Sequence, residues 1–267
     1  MCVVLLCVGC TTAESPAKTA HTVCVMSEGG LPLSKVGVFV YADESQSDIL
    51  WAGETDESGT VEFDAVSGRH TVVLKDVPLG YETKASYTTT GQNTLLRLPT
   101  ELLDGSKLAN YRLGLGDVMC DFTVTVKGVT YTLSELLSKR KAVVLNFWFE
   151  GCNPCRMEFP YLQKAYEAYA ADVAVLAINP LDGNDASVKA YAQQMGLTFP
   201  TIAGESGWQS CFMLNAYPTT VVIDRYGTIA MIHKGAVTEE GVFEAVFDHF
   251  IATDYVQSTV QNISELV

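Results

Sequence analysis

The sequence predicts two units, a small all-β sandwich followed by an α/β domain whose central mixed sheet is flanked by helices. Three observations carry that prediction. Residues 22–98 consist of short runs of alternating apolar and polar residues, broken by Gly, Pro and Asp turns. Residues 114–253 place continuous apolar runs, Ala142–Phe149 and Val173–Asn179, between stretches of helical periodicity. Between the first of those runs and the helix after it stands Cys152-Asn153-Pro154-Cys155.

Size and composition allow this division. The chain has 267 residues, 48% hydrophobic and 18% charged, enough for two cores. Its net charge is −14, and no basic run occurs, which argues against a nucleic-acid partner. The acidity reads as a solvated surface.

The chain opens with Met1-Cys2-Val3-Val4-Leu5-Leu6-Cys7-Val8-Gly9-Cys10 and a Ser/Pro/Ala/Thr-rich stretch up to residue 21. That apolar run is shorter than the roughly 20 residues needed to span a bilayer. It resembles the end of a bacterial lipoprotein signal, with Val8-Gly9-Cys10 closing a lipobox. The resemblance implies that Cys10 becomes the lipidated N-terminus and that Cys2 and Cys7 leave with the signal. Cys7 stands where the box usually has Leu, and no positively charged region precedes it. A merely apolar N-terminus is the alternative.

In the sandwich, strands are expected at Thr22–Met26, Leu31–Tyr41, Thr55–Phe63, Arg69–Leu74 and around Pro78–Tyr81. Cys24 is expected in the core with Val23 and Val25. The pattern resembles the prealbumin-like Cna B-type and SpaA repeats of bacterial surface proteins. Some of those carry a Lys–Asn isopeptide bond, which is not expected here because Thr22–Met26 contains no lysine. The unit is expected to serve as a spacer, with a binding module for a partner or glycan as the alternative. Residues 99–113 read as a linker with a helical hint at Glu101-Leu102-Leu103.

The second domain is expected to open with a hairpin, Asp121–Val126 and Val129–Tyr131, turning at Lys127-Gly128. A short helix at 133–138 leads to the apolar strand 142–149. The helix after the Cys-x-x-Cys runs from Pro154 to Ala171, with Pro154 in the first turn where its missing N–H is harmless. Val173–Asn179 is a central parallel strand. Asp185–Met195 is an amphipathic helix with Asp185 as N-cap and Gly196 as C-cap. A strand after Pro218 pairs with Ile229–Lys234, a helix over 238–252 closes the fold, and 254–267 is a tail.

Two thiols at a strand-to-helix junction point to redox chemistry. The dipole and unpaired N–H groups of a helix N-terminus favour an anion, so Cys152 is the expected nucleophile and the more exposed of the pair. Cys155, one turn deeper, resolves the mixed disulfide. A structural disulfide is the bland alternative, but a four-residue loop constrains an unfolded chain little. Structural zinc needs four ligands; no second Cys-x-x-Cys exists, and His21, His70, His233 and His249 are scattered. No metal or other cofactor is expected.

Ala216-Tyr217-Pro218-Thr219-Thr220 supports the redox reading. With the Cys-x-x-Cys and Pro160 it resembles the thioredoxin superfamily, in which a cis-proline lies beside the cysteines and the active-site helix is kinked. Asn146-Phe147-Trp148 before the motif and Cys155-Arg156-Met157-Glu158-Phe159-Pro160 after it resemble the membrane-anchored TlpA/ResA branch, over about residues 114–252. The resemblance implies an extracytoplasmic thiol-disulfide oxidoreductase, lipid-anchored to the bacterial cytoplasmic membrane, that reduces disulfides of envelope proteins. Its electrons would come from a membrane donor of the CcdA/DsbD type. It also implies Pro218 as part of the catalytic centre and Trp148, Tyr217 and Thr219 as substrate-binding positions. An adhesion or scaffold protein, with the sandwich binding a partner, is the alternative. A thiol peroxidase would need threonine at the start of Thr-x-x-Cys, where this chain has Phe149.

Cytoplasmic thioredoxins bury an aspartate where this chain has Asn146. The amide cannot titrate, so Glu150 is the expected carboxylate that tunes the cysteine pair, with Glu158 the second choice. Of the remaining cysteines, Cys120 and Cys211 are candidates for a structural disulfide, and two buried thiols are the alternative.

Overall fold

The computed structural model describes residues 17–204 and 206–252. The expected lipobox with Cys10, and the expected tail 254–267, lie outside those residues.

The sandwich comprises β1 (Lys18–Ser27), β2 (Gly37–Tyr41), β3 (Ile49–Glu54), β4 (Thr60–Val66), β5 (Thr71–Lys75), β6 (Tyr87–Thr88) and β7 (Asn93–Leu98). They form two sheets, in the orders β4-β1-β7 and β3-β2-β5-β6. Val23 and Val25 of β1, with Phe63 of the same sheet, face Val38, Val40 and Leu74 across the space between the sheets. Cys24 is not a core residue. Neighbours on a strand point to opposite faces, so burying Val23 and Val25 turns Cys24 outward, where it is half-buried. β1 begins at Lys18 rather than Thr22, so the first strand does hold a lysine, at its exposed end. The expected strand at Leu31 forms only from Gly37 onward. Residues 31–36 make a turn instead, with Lys35 in the left-handed region at φ 60° and Leu33 N–H bonded back to the Val25 carbonyl at 3.0 Å.

The segment after β7 is packed rather than free. Leu102 and Leu103 lie against the second domain's core. The expected helical turn at Glu101–Leu103 falls at Gly105–Asn110 instead, because Asp104 caps it by accepting the Ser106 N–H at 3.0 Å. A second tie holds the two units together. The Leu79 carbonyl accepts the Val118 N–H at 2.9 Å, and the Tyr81 hydroxyl donates to the Gly116 carbonyl at 2.7 Å. Between them, Gly80 has φ +87°, and a Cβ there would stand 2.3 Å from the Cβ of Val118. The contact requires glycine.

The second domain opens with the hairpin β8 (Thr123–Val126) and β9 (Val129–Thr132). Lys127 and Gly128 both take positive φ, as a two-residue turn of the right twist demands. Then follow α1 (Leu133–Leu137), β10 (Ala142–Phe147), α2 (Asn153–Tyr169), β11 (Val173–Asn179), α3 (Asp185–Gln194) and β12 (Thr201–Ala203). α4 (Ser206–Cys211), β13 (Thr219–Asp224), β14 (Ile229–Lys234) and α5 (Val242–Ile251) complete the domain. The sheet order is β12-β11-β10-β13-β14; β10, β11 and β12 are parallel and β13 and β14 antiparallel.

Several boundaries moved for local reasons. The N-cap of α3 is Asn184, whose side chain accepts two backbone N–H groups, rather than Asp185. α5 starts after Gly241, whose φ of 85° cannot continue a helix backward. The short α4 was not anticipated.

The central strand β10 is buried along its whole length. Val143, Leu145 and Phe147 pack toward the hairpin, α1 and α4, while Ala142, Val144 and Trp148 pack toward α2 and α5. That parity puts Asn146 under α2. Gly80→Val should lower stability by about 1–3 kcal/mol, the scale of a forced positive φ. Urea unfolding measures the loss, and residues 99–113 should become cleavable by protease where the wild type resists.

Candidate active site

β10 ends at Phe147, and the chain turns through Phe149 and Glu150 into the N-terminus of α2. The Glu150 N–H donates to a carboxylate oxygen of Asp182 at 2.8 Å, which holds that turn against the β11–α3 loop. Cys152 is the N-cap of α2, and its Sγ accepts the Cys155 N–H at 3.1 Å. Cys152 and Cys155 are joined by a disulfide, with their Cα atoms 5.3 Å apart. Both are closed off from solvent, at 2% and 0% exposure, so the expected difference in exposure does not distinguish them. Their places on the helix do. Cys152 sits at the terminus, where the free N–H groups stabilise a thiolate, and Cys155 sits beneath it.

Of the other predicted positions, the structure gathers some and disperses others. The Tyr217–Pro218 peptide is cis, and the Pro218 carbonyl accepts the Gly235 N–H at 2.9 Å. Tyr217 is half-buried with its ring edge-on to Phe149, 5.4 Å between centroids, which brings the Pro218 loop beside the turn that precedes Cys152. Trp148 is at 0% exposure, stacked on Tyr191 and edge-on to Phe159. It continues the buried face of β10 and has no surface to offer a substrate. The Thr219 side chain is also buried, its hydroxyl donating to the Ala216 carbonyl at 2.9 Å.

Glu150 is not the carboxylate beneath the cysteines. Its Oε1 accepts the Ser187 hydroxyl at 2.6 Å and so points toward α3. Glu158 occupies the interior position instead. It lies three residues after Cys155 on the same face of α2, at 0% exposure. One carboxylate oxygen accepts the Asn146 side-chain N–H2 at 2.7 Å, and the other accepts the Val237 backbone N–H at 2.8 Å. Burial raises its carboxyl from the ordinary 4.5 to about 7, and the two donors offset that only in part. A group balanced near neutrality can take or give a proton at working pH. The i+3 spacing from Cys155 was the sequence signal for it. The Val237 N–H had none, since a backbone donor from a distant loop leaves no trace in residue type.

Cys120 and Cys211 sit at 0% exposure in the core opposite α2, and the structure holds both as free buried thiols, the alternative to the candidate bridge. Burial pushes them up to about 12 and about 11. Among the described residues no cluster of three or more His, Cys, Asp or Glu could hold a metal. No helix among them is long and apolar enough to cross a membrane.

Comparison with known proteins follows the same boundaries. A family model described as the AhpC/TSA family matches residues 115–232. The thioredoxin-like protein YneN of Bacillus subtilis is 36% identical over 123 residues, 45% of this chain and 71% of that protein. The thiol-disulfide oxidoreductase ResA of Geobacillus kaustophilus is 35% identical over 137 residues, 49% of this chain and 75% of that protein. A solved thioredoxin-family thiol:disulfide interchange protein of Chlorobium tepidum superposes with a TM-score of 0.42 at 21% identity, over 54% of this chain and 99% of that one. The sandwich lies outside the family match.

Two outcomes follow from these side chains. A folded chain that keeps the Glu158 proton up to about pH 7, against 4.5 when unfolded, loses stability as pH rises between those values. Urea titrations of the oxidised protein should show a fall on the order of 2–4 kcal/mol across that window, absent in Glu158→Gln. Iodoacetamide on the folded, reduced protein should label Cys152 and leave Cys120 and Cys211 unmodified by mass spectrometry.

Proposed function

We propose that this chain, which belongs to the AhpC/TSA family of thioredoxin-like proteins and is a thiol-disulfide oxidoreductase, reduces disulfides of extracytoplasmic envelope proteins while anchored to the membrane by lipid at Cys10. The observation that carries the reading is the Cys152–Cys155 bond at the N-terminus of α2 with Glu158 buried one turn behind it. The similarity to ResA supports the reductive direction, and the lipobox-like Val8-Gly9-Cys10 supports the anchor.

In the working cycle the dithiol form meets a client disulfide. The Cys152 thiolate attacks one client sulfur, and an intermolecular disulfide forms as the client's own bond breaks. Cys155 then gives up its proton to Glu158 and attacks Cys152 Sγ. The client sulfur that left first has been protonated, and the one held in the mixed disulfide now leaves as a thiolate and is protonated in turn. Two electrons have passed to the client, and this chain is left as the disulfide. A membrane dithiol donor of the CcdA/DsbD type restores it by the same exchange run in reverse. Backbone groups at Tyr217 and Pro218 pair with the client chain in a strand-like way.

The sandwich serves as a standoff. The end of β1 at Ser27 lies toward the catalytic domain, near Tyr81, and the Lys18 end lies some 30 Å away at about 3.3 Å per residue. The disulfide stands at the far end of the catalytic sheet, where Phe147 pairs with Thr219, while the docked turn near Thr228 is at the opposite end. An anchor at the N-terminus therefore leaves the disulfide facing away from the membrane.

Thiol trapping in glutathione or dithiothreitol buffers tests the direction. A potential at or below about −230 mV is expected for a reductant. A value near −120 mV would make the chain an oxidant and sink the proposal. Cys152→Ser should abolish disulfide reduction in an insulin or client assay.

A further inference from the structure

Beneath the helix, Asn146 holds an arrangement that the cycle above does not use. It is at 0% exposure on β10, on the face that packs against Cys155 and Phe159. Both hydrogens of its amide are spent: one goes to Glu158 Oε1 at 2.7 Å, the other to Thr220 Oγ1 at 3.0 Å. Among the described residues its carbonyl oxygen Oδ1 has no hydrogen-bond partner. Leaving a buried amide oxygen bare is costly, because its water has been removed and no donor replaces it. Turning the amide over does not relieve it once Glu158 is ionised, because Oδ1 would then face the acceptor Oε1 of Glu158. Thr220 stands opposite Asn146 in the sheet, and the Val237 N–H holds the other oxygen of Glu158.

The structure in which this oxygen is bare is the disulfide form. A disulfide sulfur has no hydrogen to donate, whereas a thiol does. We propose that Asn146 is the positioning residue of the resolving half of the site. Its N–H2 group fixes Glu158 beside Cys155, and its Oδ1 is the acceptor that the Cys155 thiol takes up when the disulfide is reduced.

The step balances. A donor dithiol attacks Cys152, the Cys152–Cys155 bond breaks, and Cys155 leaves as a thiolate. It takes a proton from the Glu158 carboxylic acid, and the new S–H donates to Asn146 Oδ1. The donor closes its own disulfide and releases Cys152. Its two thiol protons end one on Cys152 and one, by way of Glu158, on Cys155. The titratable and charged groups facing this pocket are few: Glu158 and Cys155 from α2, and His233 of β14, which stands opposite Thr220 and is held below the ordinary histidine range by burial. β10 and β13 present Asn146 and Thr220, with the buried Asp224 four residues further along the same face of β13, and the Val237 loop presents a backbone N–H.

The inference rests on Glu158 as the proton partner of Cys155, and the experiment separates the two. In Asn146→Leu the bare oxygen is gone from the oxidised form and the acceptor is gone from the reduced form. Both changes favour the disulfide. The equilibrium with glutathione should shift toward it by about tenfold, which is about 30 mV more negative. Asn146→Asp, read below pH 5 where its carboxyl is neutral, keeps an acceptor oxygen and should stay within about threefold of wild type. A loss of fold stability alone would not produce that difference between the variants. If Asn146→Leu does not fold, Thr220→Val reports instead: it frees one amide hydrogen, and should shift the pH dependence of Cys155 alkylation measured in a Cys152→Ser background. An unchanged potential in Asn146→Leu, or an unchanged profile in Thr220→Val, overturns the inference. If Glu158→Gln also leaves Cys155 alkylation unchanged, the role of Glu158 fails with it; if Glu158→Gln shifts it, only Asn146 is removed from the site.

Discussion

The central strand β10 is buried on both faces, and the catalytic domain depends on that burial. A strand in this position must carry apolar side chains in both directions, and Val143 to Phe147 do so with a single interruption. Its hydrogen bonds to β11 on one side and β13 on the other fix the height at which the chain leaves the sheet. That exit sets where Cys152 meets the N-terminus of α2. The same pairing places Thr219 and the cis-Pro218 loop beside it, because Phe147 and Thr219 are register partners. Cysteine pair and proline loop are brought together by one ladder of backbone hydrogen bonds.

The interruption is Asn146, and its consequences are electrostatic. An apolar residue there would leave Glu158 with the Val237 N–H alone. With Asn146 present, a carboxylate is kept in a dry interior next to a thiol pair, balanced between its protonated and ionised forms. Cytoplasmic thioredoxins, by resemblance, place an acid on the strand. Here the acid is on the helix and the strand supplies an amide. The proposed proton acceptor thus sits on the same helix as Cys155, at a spacing fixed by the helical turn.

The two halves are joined by a contact that is more specific than a tether. Gly80 lets backbone meet backbone at Val118, Tyr81 caps the Gly116 carbonyl, and Leu102 and Leu103 run into the catalytic core. Under the proposed spacer role, a joint built this way would transmit direction as well as distance. That would matter for a site whose proposed donor lies in the membrane and whose proposed clients do not.

Much of this was legible in the residues. The Cys-x-x-Cys after an apolar run, the Tyr-Pro-Thr downstream and the alternating runs of the first ninety or so residues determine two units of the observed classes, since periodicity and helix-terminus chemistry are local properties. Local logic also determined that Asn146 could not titrate. Wherever sequence reasoning went astray, the deciding quantity was long-range. Whether Glu150 or Glu158 turns inward depends on Ser187 and on the Val237 N–H, 79 residues from Glu158. Whether Trp148 faces solvent depends on Tyr191, and whether residues 99–113 are a linker depends on the turn at Gly227 and the bridge between Leu103 and Cys120. The sequence by itself determined which groups were available for redox chemistry. Only the packed structure decided which carboxylate lost its water, because desolvation belongs to the assembled core and not to any residue within it.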